Sequence, residues 1–251
     1  MKRVLSPNLP KPDSEVELPE NEAHHITQVM RLRDGDTVEA LDGKGAAVLS
    51  VLRVRGKSVF LTASEATIST RQAGVSEVLP IDLEVAILKG DAMEWIVEKA
   101  VELGVRSLTP LVTAHTVVQI DRKGPQVFRE RWQRIADQTL KQCGRLGAME
   151  IKMPTSLERH LADTASARRI VADERVAHEA PILFDRLTSE ADLWRPGIRI
   201  LIGPEGGWSE KERGLLDGSG STSVSLGPLI LRAETACLFS VATAVAFLRK
   251  S

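Results

Sequence analysis

Apolar positions change their spacing near residue 80, and the change divides the sequence in two. Before it, Thr37 to Leu41, Ala46 to Val54 and Ser58 to Thr62 read as short strands. Asp42-Gly43 and Arg55-Gly56 stand between them and suit tight hairpin turns. Three strands this short form no large sheet on their own, so closure into a small barrel is the economical solution. Ahead of them, Ala23, Ile26, Val29 and Met30 share one face of a helix predicted over Glu20 to Arg31. Ser64 to Pro80 holds no sustained period and reads as a linker.

From Ile81 the rhythm becomes strand, helix, strand. IDLEVAIL alternates, and a helix over Asp91 to Leu103 places Met93, Ile96, Val97, Ala100 and Val101 on one face before Gly104 closes it. Leu108 to Val112, Arg169 to Ala172, Ile198 to Ile202 and Ser223 to Leu226 are further strands. Val127 to Cys143 and Pro181 to Leu187 are helical patterns between them. A last helix over Ala233 to Lys250 offers Cys237, Leu238, Val241, Ala242, Val245 and Leu248 to the core. Alternating β and α predicts an α/β domain with a mostly parallel sheet, whose ligands bind beyond the carboxyl ends of the strands.

Two glycine-bearing loops follow such strands. In LIGPEGGWSEKE the strand stops at Gly203-Pro204, Gly206 and Gly207 allow close backbone approach, and Ser209 with Glu212 forms a capping box that opens a helix. In SLGPLILRAETA, Gly227-Pro228 breaks the strand and Leu229 to Leu231 form an apolar turn before Arg232. A glycine loop opening a helix ordinarily cradles phosphate, but Glu205 would meet it with a like charge and the Walker lysine is missing. Apolar loops suit an adenine and a thioether-like chain better.

Composition narrows the class. The chain has 251 residues, 43% of them hydrophobic and 27% charged, as in ordinary globular proteins, and no apolar run long enough to span a membrane. No secretion signal is read at the start, so the expected place is the cytoplasm. Cys143 and Cys237 are too few for a disulfide framework and are expected as small buried thiols. His24-His25 lacks further ligands nearby, so no metal is expected. The net charge of -1 gives no global signature of nucleic-acid binding, yet Gln119 to Gly147 gathers Arg122, Lys123, Arg129, Arg131, Arg134, Lys141 and Arg145. Such a run is either a solvated helix face or a phosphate-contacting surface.

GPEGGWSEKE followed by SLGPLILRAETA closely resembles the paired signature of the bacterial 16S ribosomal RNA uridine-N3 methyltransferases, a branch of the SPOUT superfamily. The resemblance extends to KGDAMEWIVEKAVELGV, QCGR and HHITQVMRLRDGD, and so covers nearly the whole chain. It implies a PUA-like RNA-binding β-barrel over residues 1–72 and a SPOUT methyltransferase domain over 73–251 with a carboxyl-terminal trefoil knot. It also implies a homodimer, and methyl transfer from S-adenosylmethionine to N3 of a uridine in 16S rRNA within the small ribosomal subunit. Under it, the cofactor is read by Leu201, Gly203, Pro204, Glu205, Gly206, Gly207, Leu226, Gly227, Leu231 and Arg232.

The implied chemistry needs a cation for charge that develops on the uridine carbonyl oxygens, and a proton acceptor. Arg232 is the first choice for the cation; Glu205 and Glu234 compete to be the acceptor or to hold the cofactor's positive groups. Arg3, Arg31, Arg33, Arg134 and Arg145 are the expected RNA contacts. Two departures stand out, Ala114-His115-Thr116 where relatives commonly carry an acidic-basic-Ser triplet, and Gly147 in place of a second arginine after QCGR. Both are expected on the RNA side. The alternative function is a non-catalytic RNA-binding assembly factor that keeps a methyltransferase fold.

Overall fold

A computed structural model describes residues 1–63, 70–72, 78–165, 167–176 and 179–250. It divides into two compact units, residues 1–77 with 137–148, and residues 78–136 with 149–251. The segment 137–148 belongs to the first unit although the 59 residues 78–136 separate it from residue 77, which no spacing pattern announced.

In the first unit, β1 (Arg3–Leu5), β2 (Glu15–Glu17), β3 (Thr37–Leu41), β4 (Ala46–Arg55) and β5 (Ser58–Thr62) pair in the order β1-β3-β4-β5-β2, and β6 (Thr70–Gln72) also pairs with β4. All these ladders are antiparallel except β1 on β3. Arg55 pairs with Ser58 across Gly56, whose φ of +65° is the left-handed conformation such a two-residue turn needs. α1 (Glu20–His24) runs on into a π-helical turn over His25–Val29. It buries Ala23 and Ile26 in a core with Val4, Leu18, Val38, Ala40, Leu52, Val59 and Leu61. The expected linker therefore contains a strand at 70–72; the rest of that stretch up to residue 77 lies outside the described residues.

Segment 137–148 is fastened to this sheet by charge. Lys141 Nζ lies 2.6 Å from Glu22 Oε1, with both side chains about nine-tenths buried. Arg3 pairs with Glu39 at 2.8 Å and donates Nη1 to the Lys141 and Gln142 carbonyls at 3.0 and 3.1 Å. A cation on the last carbonyls of a helix satisfies acceptors the helix cannot, and it opposes the helix dipole favourably. Cys143, expected to be buried, is exposed at this helix end, where no core reaches it.

The second unit carries β7 (Ile81–Ala86), α2 (Ala92–Glu102), β8 (Ser107–Val112), α3 (Ile120–Lys123), α4 (Pro125–Cys143, as far as residue 136), β9 (Glu150–Ile151) and β10 (Thr155–Ser156). They are followed by α5 (Leu157–Asp163), β11 (Ile170–Ala172), α6 (Leu183–Ser189), α7 (Ala191–Trp194), β12 (Ile198–Ile202), α8 (Glu210–Gly218), β13 (Thr222–Val224) and α9 (Ala233–Arg249). The sheet runs β10-β8-β7-β12-β11-β13 with β9 also on β8, and every one of these ladders is parallel. The carboxyl ends of its strands therefore share one edge. α2 buries Met93, Ile96, Val97, Ala100 and Val101, the expected face.

Two expectations are corrected here. IDLEVA was read as alternating, but all six of its residues are buried, because β7 is a central strand with both faces covered. α9 buries Ala233, Ala236, Cys237, Ser240, Val241, Ala244 and Phe247. Of the other expected core positions, Leu238, Val245 and Leu248 are only half-buried and Ala242 is exposed. The small residues of this helix let α2 and α6 approach it on a face turned from the one that the large side chains mark.

Candidate functional site

The first glycine loop connects β12 to α8 through residues 203–209. The capping box is formed, Glu212 N donating to Ser209 Oγ at 3.3 Å and Ser209 N to Glu212 Oε2 at 2.9 Å. The same carboxylate accepts the Ala114 N–H at 2.8 Å, so one buried glutamate ties the loop to the turn after β8. Gly207 has φ +70°, a conformation costly for any side chain, and a Cβ there would stand 3.0 Å from Glu174 Oε1. A Cβ on Gly203 would collide with the buried Trp208 at 2.9 Å. Arg213 pairs with Asp173, and reaches Glu174 Oε1 at 3.4 Å, joining α8 to the residues after β11. The loop is braced on three sides.

The second loop, from β13 to α9, is bare by contrast. Gly227 has φ +118°, and an added Cβ would meet nothing within 4 Å. Leu229 and Ile230 are 74% and 83% exposed. Leu226, Gly227 and Leu231 are half-buried, and Leu201, on β12, is fully buried. Arg232 takes the position before α9 with its side chain exposed. Among the described residues, the side chains of Arg232, Glu205 and Glu234 form no ion pair.

The sheet edge thus carries Gly203 to Gly207, Leu226, Gly227, Leu231 and Arg232 on loops that follow parallel strands, with Leu201 near the end of β12 and Glu234 in the first turn of α9. S-adenosylmethionine fits this set. Open backbone at Gly227 and exposed aliphatic side chains offer space for an adenosine, and carboxylates without cations of their own can face a sulfonium and an ammonium.

The Ala114-His115-Thr116 turn, expected on the RNA side, touches this loop. His115 Nδ1 donates to the Gly207 carbonyl at 2.8 Å, and its ring carbons lie against Gly206. Nothing in the spacing signalled it, since residues 115 and 207 meet only through the β8 and β12 positions in the sheet. Of the expected RNA contacts, Arg31, Arg33 and Arg134 are exposed, and Arg31 holds a left-handed φ of +54°. Arg145 is 6% exposed, so it offers no open guanidinium for a phosphate, and Arg3 is committed to Glu39 and the helix-end carbonyls.

A cavity of about 720 Å³ lies instead among Asp82, Arg106, Ser107, Lys152, His160 and Arg199, toward the amino ends of the strands. Its charges serve one another. Asp82 accepts both arms of Arg106 at 3.0 and 2.7 Å and the Ser107 hydroxyl at 2.7 Å. Beneath, the fully buried Glu84 meets Arg169 at 3.2 Å, Arg199 at 3.1 Å and His160 Nε2 at 3.0 Å; the last is a close polar contact without hydrogen-bond alignment. Burial raises both carboxyls toward the neutral form, but the hydrogen bonds and opposite charges outweigh it and hold both below the usual carboxylate range. Burial pushes the Cys237 thiol far up, so it is no nucleophile.

Residues 75–245 match the family described as RNA methyltransferase domain, and residues 18–62 the RNA methyltransferase PUA domain. The chain is similar to the ribosomal RNA small subunit methyltransferase E of Bacillus subtilis (strain 168), with 32% identity over 225 residues, covering 88% of this chain and 85% of that one. It is similar to the protein of the same name from Synechocystis sp. at 30% over 227 residues, covering 89% and 70%. Among solved structures, it resembles a putative methyltransferase from Legionella pneumophila in complex with SAM, with TM-score 0.84 and 28% identity over 97% of this chain and 96% of that one. A ribosomal RNA small subunit methyltransferase E from Neisseria gonorrhoeae bound to S-adenosyl methionine gives TM-score 0.77 and 27% identity, covering 96% and 95%.

Proposed function

We propose, from the premise that the chain belongs to the RNA methyltransferase family, that it methylates N3 of a uridine in 16S ribosomal RNA using S-adenosylmethionine. The observation that carries this reading is the pair of glycine loops on one sheet edge, one braced and one open, with Arg232 unpaired between the open loop and α9. When bound, S-adenosylmethionine supplies a methyl group on a positive sulfur. Leu201, Gly203, Pro204, Gly206, Gly207, Leu226, Gly227 and Leu231 present backbone and aliphatic surface to its adenosine. Glu205 and Glu234 offset its charges. Arg232 holds a uridine carbonyl oxygen as negative charge spreads there, using a planar fork that serves two acceptors together. Alignment of methyl and nucleophile supplies a further large part of the rate.

The target belongs, on this reading, to the assembled small subunit in the cytoplasm. Residues 1–72 act as the RNA-binding module and 73–251 as the knotted catalytic domain. Arg31, Arg33 and Arg134 are the phosphate contacts best supported by exposure. Two copies pair through the exposed apolar positions of α9, among them Phe239 at 43% exposure. Calorimetric titration with S-adenosylmethionine and with ATP, followed by transfer of labelled methyl to small-subunit particles, tests the whole. Binding of S-adenosylmethionine with uridine-N3 methylation is expected; RNA binding without either would favour the assembly factor.

A further inference from the structure

We infer that His115 is the proton acceptor of the reaction, an assignment that rests on the methyl-transfer reading above. The turn carrying it is fixed before any substrate arrives. Thr113 N donates to Thr116 Oγ1 at 2.9 Å and Ala114 N to Glu212 Oε1 at 2.8 Å. The His115 ring lies so close over Gly206 that an added Cβ would stand 3.2 Å from Cγ and 3.3 Å from Nδ1. A carbonyl oxygen can only accept, so the 2.8 Å contact with Gly207 makes Nδ1 the donor. In the neutral ring, Nε2 therefore carries the lone pair, on an exposed side chain beside the braced glycine loop. A base whose second nitrogen is oriented by a third group is the arrangement proton abstraction requires.

The neighbouring carboxylates are worse suited. Glu212 is engaged by Ala114 and Ser209, and Glu174, across Gly207, by Arg213. Glu205, in the same loop as Gly206, is free of ion pairs among the described residues, and no hydrogen bond among them orients its carboxylate as the Gly207 carbonyl orients the His115 ring. A neutral imidazole that donates from one nitrogen keeps a lone pair on the other, which favours the oriented ring as the acceptor. The step balances. The electron pair of the uridine N3–H bond becomes the new N3–CH3 bond, the S–CH3 pair stays on sulfur as a neutral thioether, and the proton passes to Nε2. The imidazolium then returns it to water.

His115→Asn tests the assignment, because its amide N–H can still reach the Gly207 carbonyl while the basic nitrogen is gone. S-adenosylmethionine affinity by calorimetry should stay within about twofold of wild type. Single-turnover methylation of small-subunit particles should fall on the order of a hundredfold or more, and the acid limb of the wild-type pH–rate profile should vanish. Added imidazole should restore part of the rate. Imidazole nitrogen NMR of the wild-type protein without ligands should show Nε2 as the lone-pair nitrogen. An Asn variant with unchanged rate and pH profile, or a spectrum with the lone pair on Nδ1, overturns the assignment alone. A wild type that binds the particles but transfers no methyl overturns the reading beneath it as well.

Discussion

Two sets of charged residues in the second unit are used in opposite ways. Toward the amino ends of the strands, Asp82, Glu84, Arg106, Arg169, His160 and Arg199 are paired with one another, and Glu84 and Arg169 are wholly buried. At the carboxyl edge, Arg232 and Glu205 are exposed, and neither they nor Glu234 form an ion pair among the described residues. The first set holds the sheet together with charges that answer one another, although it lines a cavity of about 720 Å³. The second set has its charges uncommitted among the described residues. Pairing separates the two sets: the first is spent on the fold, and the second is the one proposed above to meet cofactor and substrate.

The strongest challenge to that contrast is Glu84→Ala, which leaves buried Arg169 without its carboxylate. Loss of about 3–5 kcal/mol in urea unfolding is expected, with methyl transfer per folded molecule retained. Arg232→Lys should do the reverse. Stability should change by no more than about 0.5 kcal/mol, while single-turnover transfer falls on the order of a hundredfold through loss of the planar fork. A large stability loss would move Arg232 into the first set.

Smaller effects sharpen the same division. Gly207→Ala forces a side chain into a left-handed φ and toward Glu174, and should cost about 1–2 kcal/mol in thermal unfolding. Acid should weaken the paired set. Glu84 and Asp82 hold depressed pKa values in the folded state, so their stabilisation is present above the usual carboxylate range and drains away as pH falls through the lowered values. Urea midpoints measured from pH 6 down to 3 should fall in the wild type and fall less in Glu84→Gln. The smallest change expected is Arg134→Ala, a several-fold weakening of RNA binding that shrinks as salt rises and leaves S-adenosylmethionine affinity alone.

Much of this was legible before any coordinates. β3, β5 and β12 fall where their apolar runs do, the buried face of α2 is the spaced one, and Ser209 with Glu212 caps α8. These signals are local, each complete within one turn or strand. β1, β2 and β6 are three residues long and carry too little period to read. Asp82 and Glu84 misled because acidic residues in a strand ordinarily mark a solvent face, and here half-buried Arg199 of β12 and fully buried Arg169, just before β11, answer their charge. His115 and Arg145 depend on contacts between distant segments. No spacing rule sees those.

The discontinuity of the first unit bears on how the chain is made. Residues 137–148 supply Lys141 to Glu22 and helix-end carbonyls to Arg3, and Ala148 donates its N–H to Gly43. A nascent chain emerging from the ribosome at roughly 5–20 residues per second presents the amino-terminal strands first, but it must extend through residues 78–136 before their missing partner exists. The module at the amino terminus is therefore the first to begin folding and cannot be the first to finish. An expression fragment cut at residue 77 would hold Glu22 and Arg3 in the unfinished state that the full-length chain passes through only in transit.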